Sequence, residues 1–352
     1  MSIRPCGTFD ATYEKDTALF RTRAHWFLLA AFSLLLFTFP LYLNTYWLSV
    51  INFTVISIIA VLGLHLLTGL CGQISLGQAA FLGIGAYTTA LIHNSLGPPL
   101  VITLICSGLV AAFIGLIFAL PSLKIKGFYL AMSTLAAQFI MIWVFLHLKP
   151  ITGGEAGLYV EVLKVGGIEI DSDVKFFYLI LFVALVLGFF ARNITRSRAG
   201  RAFIAIRDND IAAEVMGIEL LKNKLLAFYL GCFYGGVAGS LWAFYTSYIH
   251  PDHFALRDSI WFLGMLIVGG LGSTLGAVFG TIFLKMLDVA VDNIITPVMV
   301  YLFPAISIQA NSALSLLFFG LIIVFFLVKE PRGLAHRWEI FKAYYRLWPY
   351  SY

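Results

Sequence analysis

Residues 24–123 contain no Asp, Glu, Lys or Arg, which makes an uncharged run of 100 residues. Three further apolar stretches, at 225–251, 259–284 and 293–328, are also uncharged. A helix needs about 20 residues to cross the hydrocarbon core of a membrane, so the longer runs hold several crossings. Backbone amides in lipid must be paired within the protein, which leaves helices or closed barrels, and long runs without period-2 alternation exclude the barrel. The sequence therefore predicts an all-α, polytopic helical membrane protein.

The composition supports this class, since hydrophobic residues make up 61% of the 352 and charged residues only 12%. Hydropathy predicts about ten spans, or about eight or nine if the glycine-rich third and the short eighth do not cross. The predicted spans are 26–43, 47–70, 76–93, 100–120, 128–148, 176–191, 225–248, 258–270, 274–291 and 312–328. A transmembrane domain then covers 26–328, between an N-terminal segment 1–25 and a C-terminal tail 329–352. Acidic residues among the first 25 favour a retained first span over a cleavable signal peptide.

The distribution of Lys and Arg predicts the orientation. The N-terminal segment, the 121–127 turn, the 192–224 loop and the tail after Val328 together hold 18 of the 23 basic residues. Cytoplasmic segments carry an excess of basic residues, so we expect these four segments, and therefore both termini, in the cytoplasm. The same bias explains the net charge of +5 without a nucleic-acid partner.

Two glycine-rich stretches interrupt the apolar segments, "TGLCGQISLGQAAFLGIGAY" at 68–87 and "VGGLGSTLGAVFG" at 268–280. Interrupted helices in corresponding halves of a transporter indicate its substrate route. Five uncharged polar side chains could face such a route: Gln73, Ser75, Gln78, Thr88 and Gln138. The alternatives are that the glycines only allow close helix packing, and that a buried Gln only bonds a neighbouring helix.

The basic loop 192–224 contains a segment that favours a short helix. Three side chains that can cap a helix begin it: Asp208, Asn209 and Asp210. The following residues suit about two turns, and Gly217 suits the position just after a helix C-terminus. Ile211, Val215 and Ile218 would share one face, which could fit a groove on a partner protein. The alternative is a solvated loop whose arginines only set the topology.

Motifs for chemistry are sparse. No G-x-x-x-x-G-K-[ST] sequence is present to cradle phosphates, so energy for transport would come from another polypeptide or from an ion gradient. Ion coupling requires ionisable residues inside the bundle, and the candidates are His65, Lys285 and Asp288; His65 is more typical of a hydrogen-bonded packing residue. An intramembrane enzyme is the other alternative. His250 and His253 have no further ligands near them in the sequence, so no metal site is predicted. The four cysteines are scattered, so no disulfide framework is predicted.

Seven segments occur in an order that resembles one family: "LLTGLCGQISLGQAAFLGIGAYTTALI", "GFYLAMSTLA", "ITGGEAGL", "RAGRAFIAIRDNDIAAEVMGI", "SYIHPDHF", "GGLGSTLGAVFG" and "EPRGL". Together they resemble the LivM-type permease of branched-chain amino-acid ABC importers, over roughly residues 40–335. The resemblance implies a multi-pass subunit of a prokaryotic plasma (inner) membrane that forms the translocation pathway. It implies a LivH-type permease partner, a periplasmic or lipid-anchored solute-binding protein, and two cytosolic ATPase subunits. ATP would be bound by those ATPase subunits, so no cofactor is expected on this chain.

The resemblance also implies roles for residues of the cytoplasmic loop. The residues that match the segment docking on an ATPase are Gly200, Arg201, Arg207, Ala212, Ala213, Glu214 and Gly217. The implied substrates are branched-chain or related amino acids, with urea, short amides and other small solutes as alternatives. His65, Cys71, Glu155 and Ala156 depart from the family pattern, and these departures bear on the substrate rather than on the coupling machinery.

Overall fold

The computed structural model describes residues 42–122, 128–165, 168–295, 309–330 and 332–347, with short pieces at 27, 36–38 and 40. Its helices are α1 (Thr45–Leu64, continued by a π-helical turn His65–Leu70), α2 (Gln78–Leu96), α3 (Leu100–Ser122), α4 (Phe128–His147), α5 (Lys149–Thr152), α6 (Asp173–Arg196), α7 (Arg198–Asp208), α8 (Asp210–Val215), α9 (Leu220–Thr246), α10 (Leu256–Gly269), α11 (Thr274–Ala290, continued by a π-helical turn Val291–Ile295), α12 (Gln309–Lys329) and α13 (Gly333–Leu347). Four two-residue strands are β1 (Leu158–Tyr159), β2 (Lys164–Val165), β3 (Ile168–Glu169) and β4 (Tyr248–Ile249).

Helices occupy nine of the predicted spans, namely those of α1–α4, α6 and α9–α12. Within the described residues, six are long and apolar enough to cross a membrane: α1 with its π-helical turn, α3, α4, α6, α9 and α11. Most of the predicted first span, 26–43, lies outside the described residues, as do 123–127 and 296–308. The prediction of a polytopic helical membrane protein is confirmed.

Glycines allow α2 and α9 to cross at backbone contact in the centre of the bundle. A Cβ added at Gly85 would lie 2.1 Å from the carbonyl oxygen of Gly236, and one at Gly239 would lie 1.8 Å from that of Leu82. Lipid supplies no hydrophobic force between helices, so close van der Waals contact, together with hydrogen bonds such as that from Thr89 Oγ1 to Ser240 Oγ (2.7 Å), holds them together. Several of the glycines therefore serve packing, as the alternative interpretation of the sequence stated.

Both glycine-rich stretches are interrupted helices. The π-helical turn after α1 ends at Leu70, Gly72 turns the chain with φ 71°, and α2 begins only at Gln78. Likewise α10 ends at Gly269, and Gly270 and Gly272 adopt φ 112° and 92° before α11. We call residues 71–77 the first break and residues 270–273 the second break. The second break lies next to the π-helical turn that leads into the first break, because a Cβ added at Gly69 would be 3.3 Å from the backbone nitrogen of Gly272.

Two features add to the predicted architecture. Strand β1 pairs antiparallel with β4 (Leu158↔Ile249, Tyr159↔Tyr248), and β2 pairs with β3, in the segments that connect α4 to α6 and α9 to α10. Two-residue strands are too short to show a period in the sequence, which is why they were not predicted. The C-terminal tail 329–352, for which no helix was predicted, contains helix α13.

Candidate functional site

The basic loop folds into two consecutive short helices, α7 and α8. Ser197 caps α7 by accepting from Gly200 N (3.3 Å), and Asn209 caps α8 by accepting from Ala212 N (3.0 Å). Gly217 has φ 85°, just beyond the C-terminus of α8. The helix predicted over 208–217 therefore exists with the expected cap and terminal glycine, and its regular part is limited to Asp210–Val215.

Helix α8 exposes large apolar side chains. The exposed fractions of Ile211, Val215 and Met216 are 66%, 82% and 83%. Ala213, on the opposite face, is buried, and Ile218 is half-buried against the core. The predicted apolar face thus consists of Ile211 and Val215 without Ile218, since the chain turns at Gly217. We call Ile211, Val215 and Met216 the α8 surface.

The seven residues predicted for ATPase coupling fall into two groups. Arg201, Ala212, Glu214 and Gly217 are exposed. Gly200 and Ala213 are buried, and Arg207 reaches inward although its side chain keeps an exposed fraction of 34%. Gly200 is held at a tight α6–α7 corner, where an added Cβ would lie 2.2 Å from the Ile194 carbonyl oxygen. The first group and the exposed part of Arg207 are placed to contact a partner directly.

Arg207 connects the loop to the first break. Its Nη1 donates to the carbonyl oxygen of Gly69 (3.0 Å), near the end of the π-helical turn, where backbone carbonyls lack helical partners. Its Nε and Nη2 donate to Asp208 Oδ1 at 3.1 and 3.0 Å, which fixes the orientation of the guanidinium. This contact was not foreseen from the sequence, because it joins residues that are 138 positions apart.

Gln138 and Ser259 cap the start of α2 from other helices. Ala80 N and the Ser259 hydroxyl both donate to Gln138 Oε1 (2.9 and 3.0 Å), while Ala79 N donates to Ser259 Oγ (2.9 Å). Gln138 Nε2 donates in turn to the Phe254 carbonyl oxygen (2.6 Å). The first amides of a helix have no partner within it, so these side chains complete α2. Sequence reasoning did not identify Ser259.

The other four pathway candidates differ in their hydrogen bonds. Gln78 is buried and donates to the carbonyl oxygens of Ala60 (3.0 Å) and Gly231 (3.4 Å), while its Oε1 has no partner. Thr88 bonds within its own helix, to the Ile84 carbonyl oxygen, and Ser75 Oγ accepts from Gly77 N. Gln73, in the first break, is buried with neither amide atom hydrogen-bonded. Of the five, Gln73 therefore has the most unused hydrogen-bonding capacity.

A groove of about 780 Å³ lies between α1, α6 and α11. Its lining is almost entirely apolar, with Arg192 as its charged residue, and it contains none of the five pathway candidates. A surface of this composition suits lipid or another apolar helix rather than a polar solute.

The histidines have different surroundings. His65 is fully buried in the π-helical turn, and neither ring nitrogen has a hydrogen-bond partner, so the interpretation of a hydrogen-bonded packing residue does not match its contacts. His250 Nδ1 accepts from Asp252 N and His253 Nδ1 accepts from His250 N, which together cap the 3₁₀ turn Pro251–Phe254. In the part of the chain that the structure describes, no group of three or more His, Cys, Asp or Glu residues could hold a metal ion.

The fold and the site together define a multi-pass helical membrane protein with two interrupted helices beside an exposed helical segment. The family described as "Branched-chain amino acid transport system / permease component" matches residues 46–327 of this sequence. The chain therefore belongs to that family, which confirms the resemblance found in its motifs. No solved structure matches the chain.

Relatives in three prokaryotes carry the same designation. The chain is 30% identical over 280 residues to the high-affinity branched-chain amino acid transport system permease protein LivM of Escherichia coli (strain K12), covering 73% of this chain and 66% of that protein. It is 31% identical over 255 residues to the LivM protein of Salmonella typhimurium, covering 66% and 60%. It is 26% identical over 261 residues to a probable LivM protein of Methanocaldococcus jannaschii, covering 70% and 73%. The match thus spans slightly less than two thirds of the length of the first two relatives.

Proposed function

We propose that this chain is the membrane-spanning permease subunit of an ATP-driven ABC importer for branched-chain or related amino acids. Its family membership supports the transport role, and the relatives in Escherichia coli and Salmonella typhimurium are named for high-affinity transport of branched-chain amino acids. The chain forms part of the translocation pathway, while ATP is hydrolysed by separate subunits.

The proposed topology has ten spans with both termini in the cytoplasm of a prokaryotic inner membrane. In this topology the two breaks and the 192–224 loop all lie at the cytoplasmic face. The contacts of Arg207 with Gly69 and Gly72 support that arrangement, because they bring the loop directly against the first break and the turn that leads into it. Residues 26–328 then form the permease domain, and 1–25 and 329–352 are its cytoplasmic ends.

The α8 surface is the observation that carries the proposal. Two large apolar side chains on a six-residue helix, Ile211 and Val215, and a third just after it, Met216, are exposed to water unless a partner covers them. A short helix inserted in a groove is a common mode of recognition, and here the groove would be on a cytosolic ATPase subunit. Ala212, Glu214 and Gly217 adjoin these side chains in the sequence, and Arg201 is exposed on α7, whereas Gly200 and Ala213 are buried and shape the loop from inside.

Two further partners and a pathway residue belong to the proposal. A LivH-type permease would complete the pathway, and a periplasmic or lipid-anchored binding protein would deliver the substrate. Gln73 is the pathway candidate that the contacts support best, because its buried amide has both atoms free for a solute or for water.

Uptake of radiolabelled leucine by proteoliposomes that hold the assembled complex tests this function. We expect uptake to require enclosed ATP and to persist when ionophores remove all ion gradients. Competition by unlabelled valine and isoleucine, but not by urea or acetamide, would support amino acids as the substrate class. Uptake that an ion gradient sustains without ATP would instead identify a secondary transporter.

A further inference from the structure

Arg207, in the 192–224 loop, makes contacts that suit a mechanical link between elements better than a docking surface. Arg207 is the penultimate residue of α7 and lies two residues before Asn209, the cap of α8. Its Nη1 donates to Gly69 O at 3.0 Å. The stem of the side chain lies on the first break, because a Cβ added at Gly72 would be 2.8 Å from Arg207 Cγ and 3.3 Å from Arg207 Cα. Gly72 therefore leaves room for the arginine as well as adopting a left-handed φ of 71°.

The same guanidinium also reaches the second break. A Cβ added at Gly272 would lie 2.9 Å from Arg207 Nη1, and Gly69 itself borders the backbone of Gly272. One side chain thus lies at the meeting point of the two interrupted helices. We call Arg207, Gly69, Gly72 and Gly272 the arginine junction.

The helix that carries Arg207 is firmly anchored to the bundle. Phe203 and Ile206 are buried, and Gly200 packs directly on the end of α6. A movement imposed on α8 is therefore transmitted through α7 rather than absorbed by a flexible loop. Because packed elements shift between discrete arrangements, a displacement of α7 must either carry the breaks with it or break the bond to Gly69.

We propose that Arg207 is a positioning residue that links the coupling helices to both breaks, so that the state of the ATPase subunits sets the conformation of the cytoplasmic end of the pathway. This inference rests on the proposed function and assigns Arg207 to contacts within the permease, with Gly69, Gly72 and Gly272, rather than to the ATPase contact. Arg207 touches neither the substrate nor ATP in this role.

A native cysteine provides the probe. Cys71 is the first residue of the first break and is buried in the described structure. Burial raises the pKa of its thiol to about 12. Since the thiolate is the reactive form, Cys71 reacts slowly with N-ethylmaleimide while the break stays packed. In a variant with Cys6, Cys106 and Cys232 replaced by Ala, the labelling rate reports how often the first break opens.

The experiment measures this rate in the assembled complex, without nucleotide and after trapping with ATP and vanadate. In the parent protein we expect the two rates to differ about tenfold, the factor that loss of one charged hydrogen bond produces. In Arg207→Ala we expect the two rates to become equal, while the ATPase subunits still co-purify. Arg207→Lys, with one compact donor group in place of the fork, should restore part of the difference.

Two further variants make the result specific. Gly72→Ala places a methyl group where the Arg207 side chain now packs on the first break. It displaces Arg207 without changing that residue, so it should also abolish the nucleotide dependence of Cys71 labelling. Arg198→Ala removes the same charge from the exposed first turn of α7 and should behave like the parent. If Arg207→Ala raises labelling in both states but keeps their ratio, the residue is only structural and the inference is wrong. If the parent itself shows no nucleotide dependence, the proposed coupling to an ATPase fails, and this inference fails with it.

Discussion

Gln138 illustrates, at the scale of single residues, why composition alone does not assign a role. Its polarity within an apolar span suggested a place on the pathway, yet its carbonyl and amide groups are all used to cap α2 and to hold the turn at Phe254. Gln73 is equally polar and lies in a break, but its amide is unpartnered. The difference between them depends on contacts with residues distant in the sequence, which no local pattern reveals.

The Gln138→Ala variant tests the capping role. It leaves Ala80 N and the Ser259 hydroxyl without an acceptor in the bundle, which should lower the free energy of unfolding by about 1–3 kcal/mol. Thermal unfolding of the detergent-solubilised protein measures the loss. Thr88→Val is the matched control, because Thr88 bonds only its own helix, and it should change stability by less than about 0.5 kcal/mol. Equal stability of Gln138→Ala and Thr88→Val would contradict the capping role.

Gly85 provides a test of backbone contact between α2 and α9. Gly85→Val places two methyl groups where the Gly236 carbonyl now lies, so we expect a destabilisation of about 1–3 kcal/mol or failure of the helices to pack. Gly320→Ala is the control, because a Cβ there has nothing within 4 Å, and it should leave the unfolding temperature unchanged or slightly raised. A normal unfolding temperature for Gly85→Val would show that the two helices do not cross as closely as described.

At the scale of elements, hydropathy predicted nine of the helices, because the hydropathy of a segment is a local property of the sequence. Asn209 and Gly217 likewise predicted the ends of α8, since caps act within a few residues. The π-helical turns, the β1–β4 pairing and the inward direction of Arg207 were not predictable. Each of them depends on which elements the fold brings together, and two-residue strands or single side chains carry no periodic signal.

The α8 surface gives the most direct prediction for an element. Val215→Asp should reduce co-purification of the ATPase subunits about tenfold, because a carboxylate replaces an apolar side chain that a partner buries. Its free energy of unfolding should not change, since Val215 is 82% exposed in the isolated chain. Leu96→Asp, at a site 78% exposed at the far end of α2, should leave co-purification intact. If the ATPase subunits co-purify fully with Val215→Asp, they dock at a site other than the α8 surface.

Two substitutions at the end of α8 extend the same test. Glu214→Arg reverses an exposed charge next to the α8 surface. Gly217→Pro places a residue restricted to negative φ where the chain requires φ 85°. We expect both variants to insert in the membrane normally and to lose ATP-driven uptake together with ATPase association. Insertion is measured by membrane fractionation, uptake with radiolabelled leucine. If both variants retain full ATP-driven uptake, α8 is not the coupling element.

At the scale of the whole molecule, the proposed function divides the work between polypeptides. The chain supplies interrupted helices that glycines pack closely. In the proposed function, the energy for moving them enters through α8, which faces the cytoplasm and whose apolar residues an ATPase subunit covers. The arginine junction joins the two breaks, and α8 follows it directly in the chain. This arrangement fixes which side of the membrane α8 must face.

The sidedness of α8 is therefore the most direct measurement. A Val215→Cys variant without other cysteines is treated with a membrane-impermeant maleimide in inside-out and in right-side-out vesicles. The account predicts labelling only in inside-out vesicles, and protection from labelling when the ATPase subunits are bound. Labelling in right-side-out vesicles would place α8 on the external face and contradict the account.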